Sequence, residues 1–352
     1  MKKRVYICHT FYHVYISLLM EMNLDSAKRG EATMLLSTMS NNFGTLKDRL
    51  LKAGIFENVY MFDEKEDTTS EEVMSYHKER GNIVLNLLQR IKYTKLLGKL
   101  QEPYIPVDLE DFEERYVFCD SDPIGYYLNY KKLRYHSMED GLDTCSLDDQ
   151  AKVSNRGAFK IKCFMASLGL IFIENGYSRY AIDFVVNDIS KNPDPPKNIR
   201  EMNVMKMWEN LTPEDHLSMV NIFLDDPAPL LKKLDASRYD KPCIMILTEP
   251  LCANDVRIKL FSDIVDKYKN DYTVIIKPHP RDLVDYEEVF PNAVIIRERF
   301  PMEVMNDIPG LEVQKLISVI TQVKAIRFAK EIEFLGFDFL DLYEDPEIHR
   351  KN

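Results

Sequence analysis

Basic charge is in short supply in this chain. Lys plus Arg is 46 against 57 Asp plus Glu, a net charge of −11, which argues against wholesale binding to nucleic acid. The cysteines (Cys8, Cys119, Cys145, Cys163, Cys243, Cys252) are dispersed, with no C-x-x-C pair and no zinc spacing. They read as reduced thiols rather than as a disulfide framework. No stretch approaches the ~18 uninterrupted apolar residues of a membrane span. The opening MKKR followed by apolar residues mimics a secretory signal, but His9 and His13 interrupt the run and no small-x-small cleavage site follows Met20. A cytoplasmic protein is expected, with peripheral association at the inner face of the cell membrane still compatible. There is no repeat of solenoid period and no low-complexity tract.

At 352 residues the chain is long enough for two domains with separate cores. In its first half, apolar runs and helical periodicities alternate. Strands are predicted at Arg4–Cys8, Ala32–Ser37, Val59–Phe62, Tyr116–Cys119 and Leu133–Met138, and a last one at Tyr180–Val186. Helices are predicted at Phe11–Met22, Leu46–Ala53, Val73–Leu100, Ile124–Tyr130 and Lys162–Ile173. That alternation predicts a parallel sheet covered on both faces. The proline-rich, aperiodic segment NDISKNPDPPKNIR then reads as a linker. The expected division is a first domain over 1–187, a linker over 188–200 and a second domain over 201–352.

The second half is organised around Lys241–Asp282. A buried strand, Cys243–Leu247, leads through a polar loop into a helix over Val256–Tyr268. A strand Tyr272–Ile276 follows and ends at Lys277-Pro-His-Pro280. Strand, helix and strand of this length make a βαβ unit with parallel neighbours. Ligands of open α/β sheets bind at the carboxyl ends of such strands, so Asp255 and His279 on adjacent loops suggest a base and an acid. Further elements are read at Tyr286–Phe290, Ala293–Ile296, Met302–Asn306 and Lys315–Ile320.

Three features of the first half bear chemistry. His9-Thr10 ends strand one, where Thr10 is either a substrate contact or a helix N-cap. Asp120-Ser-Asp122 could hold a divalent cation, but Pro123 directly after it fits an N-cap with proline at the first helical position. Glu139-Asp140-Gly141 exposes two carboxylates at a strand end, able to accept from sugar hydroxyls or to act as a base. Bland alternatives stand beside these roles: an N-cap for Asp255, a histidine fixed between prolines for His279, and a helix-dipole carboxylate for Glu303.

Glu139-Asp140-Gly141, Lys277-Pro-His-Pro280, Phe300-Pro-Met-Glu303 and the opening Cys8-His-Thr-Phe-Tyr-His13 together resemble glycosyltransferase family 52. That family includes bacterial sialyltransferases of lipooligosaccharide and capsule synthesis. The resemblance implies a GT-B fold, two Rossmann-like doubly wound α/β domains facing across a cleft, and a homodimer. It implies metal-independent, inverting transfer from a CMP-sugar donor to a glycan acceptor, with no cofactor. Asp255 or Asp140 would be the base, and His279 would assist the departing phosphate. Lys277, Pro280, Glu303, Ser318 and Thr321 would hold the donor, and Thr10, Glu139 and Gly141 would lie on the acceptor side. The hydroxyls expected after the last strand are reduced to Thr321, Ser318 lying earlier in the strand. Other donors, a UDP-sugar or a CDP-alcohol, remain alternatives, as does a non-catalytic nucleotide- or glycan-binding protein.

Overall fold

The computed structural model describes residues 2–39, 41–64, 71–76, 81–142, 150–192, 196, 198–279, 282–321 and 323–349. Pro280, Arg281, Gln322 and Cys145 lie outside them. The chain forms two compact units, Met1–Asp215 and His216–Asn352.

The first unit holds seven strands: β1 Lys2–Cys8, β2 Ala32–Ser37, β3 Phe56–Phe62, β4 Phe112–Phe118, β5 Tyr135–Met138, β6 Ala181–Val186 and β7 Ile199–Glu201. Their spatial order is β3-β2-β1-β4-β5-β6-β7, and every neighbouring pair is parallel. Ile7 of β1 sits opposite Leu35 on one side and Val117 on the other. All six residues of β2 and the last five of β1 are buried, as a parallel sheet covered on both faces requires.

The second unit holds β8 Cys243–Leu247, β9 Thr273–Lys277, β10 Val294–Ile295, β11 Val313–Ser318 and β12 Ala329–Phe334. Their order is β10-β9-β8-β11-β12, again all parallel. The helix Asn254–Tyr268 packs Leu260, Phe261, Ile264 and Val265 into a core with Ile244, Ile246, Val274 and Ile276. Each sheet reverses its strand order once, between β1 and β4 and between β8 and β11, and such points are where ligands enter open α/β sheets.

Four expectations change. Tyr180–Val186 is not the last strand of the first sheet, because β7 pairs with β6 beyond it. The expected linker therefore runs into a sheet strand, and 201–215 belongs to the first unit rather than the second. The long helical region breaks into Glu71–Ser75 and Ile83–Leu100, Gly81 taking φ of 66° just before the Asn82 cap. Finally, β12 was not anticipated: its alternation of charged and apolar residues is that of an exposed edge strand. Cys8, Cys119, Cys163, Cys243 and Cys252 are free, two of them fully buried. Among the described residues no helix is long and apolar enough to cross a membrane.

Candidate functional site

In the first unit, the loops after β1, β4 and β5 gather a cluster of titratable groups. Thr10 caps the helix Phe11–Met22, its Oγ1 accepting from the His13 amide at 3.2 Å. The Nδ1 of His13 in turn accepts from the amides of His9 at 3.0 Å and Thr10 at 3.2 Å. Two N–H groups aimed at Nδ1 fix the tautomer: the neutral ring carries its proton on Nε2. That proton points to Asp140, whose Oδ1 lies at 3.0 Å and carbonyl oxygen at 2.8 Å. Burial lowers the pKa of the fully buried His13, keeping it neutral.

Cys119, just past β4, adopts φ of 49° and directs its Sγ to the same Asp140 Oδ1 at 2.6 Å. Burial drives the Cys119 thiol well above its ordinary value, with Asp140 adding to the rise, so it remains a donor. Desolvation would raise the Asp140 carboxyl, but His13 and Cys119 outweigh it and hold it at about 2. Its side chain is nevertheless 60% exposed. Asp140 is thus an oriented carboxylate open to solvent.

His9 is buried, with Nε2 at 2.5 Å from Glu64 and 3.4 Å from Asp122. Burial disfavours its charge, but Glu64 and Asp122 prevail and its pKa is raised. Asp122 stands at the N-cap position of the helix Pro123–Lys131 yet makes no side-chain cap. Asp120 turns inward, accepting from the Tyr135 hydroxyl and the Asn175 amide. Neither carboxylate of that pair is arranged for a divalent cation. His9, His13 and Cys119 do bring ligand atoms within 4.8 Å of one another. A metal on Nε2 of His13 would leave the ring without a proton, and one on Nδ1 would dismantle the helix start, so this donor set does not suit a resident cation.

In the second unit, Asp255 lies in the first turn of Asn254–Tyr268 and is exposed. The N-cap there is Ala253, so the capping role considered for Asp255 does not apply. His279 follows β9 and is half-buried. Its amide donates to Thr248 Oγ1 at 3.3 Å, and Thr248 donates to Asp282 Oδ2 at 2.9 Å. Asp282 also accepts from Tyr286 at 2.8 Å and from Arg257 at 2.7 Å. Burial would raise its carboxyl, but the hydrogen bonds from Tyr286, the Val284 amide, Thr248 and Arg257 keep it below the ordinary value. Asp282 therefore ties the loop after β8, the following helix and the loop of His279 into one unit. Thr248, Arg257 and Asp282 had no role in the sequence reading, since nothing in their identities announces burial.

The expected donor residues part ways. Lys277 is buried, with Nζ donating to the Phe300 carbonyl at 3.1 Å and lying 4.3 Å from the centre of the Phe300 ring. Desolvation brings its pKa down to about 8. It supports the loop of Phe300 rather than offering an open phosphate contact. Ser318 is fully buried, with its Oγ unpartnered, so it presents no hydroxyl to a ligand. Thr321 is exposed, but its amide and that of Ile320 are taken by the buried Glu249 at 2.7 and 2.9 Å. Glu303 is half-buried on the 3-10 turn Met302–Asp307, and burial raises its carboxyl against the pull of Lys277. Arg297 pairs with Glu287. On the acceptor side, Glu139 is buried and accepts from the Asn187 amide at 3.0 Å, which makes it a brace between β5 and the chain after β6. Gly141 is half-buried beside Asp140.

Comparison with known proteins agrees with this architecture. A sialyltransferase from Photobacterium damsela superposes with a TM-score of 0.52 at 12% identity, covering 94% of this chain and 73% of that one. The GT-B domain of a Photobacterium damselae sialyltransferase gives 0.52 at 12% identity, covering 95% of this chain and all of that one. At that identity the likeness carries the fold alone, which is of the GT-B type. An uncharacterized protein of Haemophilus influenzae is 30% identical over 151 residues, 41% of this chain and 46% of that protein; the match thus spans less than half of the relative's length. Residues 57–322 match the family described as Glycosyltransferase family 52. That span is well over half of the chain, and the protein belongs to glycosyltransferase family 52.

Proposed function

We propose that the protein is an inverting sialyltransferase that moves sialic acid from CMP-sialic acid to a galactose-ended glycan of lipooligosaccharide or capsule. The observation that carries this reading is that Asp255, in the first turn of the helix after β8, and His279, just past β9, follow adjacent parallel strands. The Thr248–Asp282–Arg257 network holds the loop of His279 in place. In the reaction the bond between the anomeric carbon and the CMP phosphate oxygen breaks, and one to the acceptor oxygen forms on the opposite face. His279 donates a hydrogen bond or proton to the departing phosphate, and Asp255 or Asp140 takes the acceptor's hydroxyl proton. Each such group contributes roughly 10²–10⁴-fold in rate. The donor carries a single phosphate, so no divalent ion is needed. Glu303 would hold the ribose hydroxyls, with Thr321 near the phosphate and Thr10 and Gly141 framing Asp140. The protein would work as a cytoplasmic homodimer.

Glu249 favours a second reading. By capping the Ile320 and Thr321 amides it removes donors that the phosphate of any nucleotide would use, which suits a non-catalytic binder; a UDP-sugar or CDP-alcohol donor is the other alternative. Thermal shift with CMP, CDP and UDP separates these, since a ligand at 100 times its Kd adds about 2.7 kcal/mol. Stabilisation by CMP above the other two, together with CMP release from CMP-sialic acid, is the expected result. Selective stabilisation by UDP, or CMP binding without turnover on any acceptor, would overturn the proposal.

A further inference from the structure

A cavity of about 1110 Å³ opens in the first unit, walled by the helix Ile83–Leu100, by Tyr126 of the helix Pro123–Lys131 and by residues 154–162. It is as large as the roomier small-ligand sites. Its wall includes Ser121, which stands next to Asp122 and two residues from Cys119. The loop after β4 therefore carries part of the Asp140 cluster and part of this cavity.

Two cations line it. Arg90 Nη2 donates to the Phe172 carbonyl at 3.4 Å, and Lys162 Nζ to the carbonyls of Asn155 and Arg156 at 3.2 and 3.1 Å. Among the described residues no carboxylate pairs with either. Burial lowers the Lys162 pKa, and Arg90 is near enough to add to the fall. Two like charges kept close, with backbone carbonyls as their partners, favour an anion beside them. The rest of the wall suits hydroxyl groups. Asn155 is fully buried, and its Nδ2 donates to the Ala151 carbonyl at 2.7 Å. Its Oδ1 has no hydrogen-bond partner among the described residues, a costly state for a buried acceptor that an O–H donor relieves. Glu174, also buried, is the one acid among the described residues of the lining; it accepts from O–H groups and repels a second carboxylate. Tyr93 and Tyr126, edge-on with ring centres 5.6 Å apart, add phenol groups and apolar ring surface.

We propose that this cavity binds an acidic sugar, its carboxylate or phosphate at Arg90 and Lys162 and its hydroxyls toward Asn155 and Glu174. A fatty acid would meet the cations and leave Asn155 without a donor. A neutral sugar would leave the two cations without an anion. On the transfer reading above, and resting on it, the occupant is an acidic unit of the acceptor glycan; apart from that reading it is a free sugar acid. Binding is measured without donor, so failure of the transfer reading and failure of this site are told apart.

The test is a ligand-observed NMR titration of the full chain with galactose, hexanoate and galacturonate, which carry the hydroxyls, the carboxylate and both. Galacturonate is expected to bind roughly tenfold or more tightly than either of the others. Arg90→Gln and Lys162→Gln should each weaken galacturonate about tenfold, as loss of a charged hydrogen bond does, and leave galactose unchanged. Both side chains are half-buried, and glutamine keeps an N–H donor for the backbone carbonyls. A merely structural role for the two cations would weaken all three probes alike. Arg90→Lys should keep the preference for galacturonate. So should Lys92→Gln, which removes an exposed charge of the same helix outside the lining. In the CMP-release assay, galacturonate that competes with the galactose-ended acceptor assigns the cavity to the acceptor glycan, and an unchanged acceptor KM assigns it to a free acid. Equal affinity for galacturonate and galactose, equal affinity for galacturonate and hexanoate, or an undiminished preference in Arg90→Gln and Lys162→Gln overturns the proposal.

Discussion

Nε2 of His13 and Oδ1 of Asp140 are joined by a hydrogen bond of 3.0 Å whose direction is set from the far side of the ring. The amides of His9 and Thr10 occupy Nδ1, so the proton can only face the carboxylate. A helix start thereby orients an exposed acid on the next-but-one strand's loop. Asp140 Oδ1, held also by Cys119, stays ionised throughout the physiological range.

This coupling sets a pH dependence. The Asp140 carboxyl lies at about 2 in the folded chain against an ordinary 3.8. A depressed carboxyl contributes stability above the unfolded value and loses it as pH falls toward the folded one. The stability difference between wild type and Asp140→Asn should therefore be largest above pH 4 and shrink below it. Urea midpoints across that range measure it. A difference that does not change with pH would show that the ion–dipole network is not what holds the loop. If Asp140 is the base, His13→Ala should also move the acid limb of the kcat/KM profile upward, because the carboxyl loses its main donor.

Asp282 is the keystone of the His279 loop. Asp282→Ala leaves the buried Arg257 guanidinium unpaired, its side chain being 8% exposed, and should cost about 3–5 kcal/mol. Activity should fall with it, because Thr248 loses its acceptor and His279 the anchor of its amide. Thr248→Val is the milder companion, removing the link to the His279 amide while sparing the Arg257 pair. Full activity in Thr248→Val would mean that the loop does not need this anchor.

Lys277 gives a prediction of opposite sign. Its pKa falls from 10.5 to about 8 on folding, so the unfolded chain holds more protons between those values and the wild type gains stability there as pH rises. Lys277→Met should lack that gain and should melt no lower than wild type at pH 7, as replacement of a buried charge by an apolar side chain often does. It should also bind CMP as well as wild type does. A large loss of CMP affinity in this variant would restore Lys277 as a donor contact.

Gly98 tests the packing of the helix Ile83–Leu100. The Cβ introduced by Gly98→Ala would meet the Tyr126 carbonyl oxygen at 2.4 Å and Tyr130 Cβ at 2.6 Å, and backbone cannot rotate away. The helices Ile83–Leu100 and Pro123–Lys131 must part, at a cost of about 1–3 kcal/mol. An unchanged melting temperature would show that this contact is loose.

Much of the architecture was legible in the sequence because buried parallel strands are short apolar runs. Cys243–Leu247 and Ala32–Ser37 fall on β8 and β2 as read. Three-residue β7 and charge-rich β12 escaped, since edge strands alternate or are too brief to show a period. The positions of Asp255 and His279, after β8 and β9, were legible because each follows a short apolar run. The site was illegible where burial reverses a residue's ordinary meaning. Glu64 belongs to an acidic loop by composition, yet it is fully buried against His9. Glu249, Lys277 and Glu139 are polar residues spent on backbone groups, which only the tertiary fold reveals. His13 interrupted an apolar run in the sequence, and its partner lies 127 residues away.

The central claim is that His279 assists departure of CMP. The most direct measurement is single-turnover release of CMP from CMP-sialic acid with a galactose-ended acceptor, comparing wild type with His279→Ala and Asp255→Ala. The account predicts a rate lower by roughly 10²–10⁴-fold for His279→Ala, with CMP affinity retained, and a strong reduction for Asp255→Ala. Release at the wild-type rate by folded His279→Ala would contradict it.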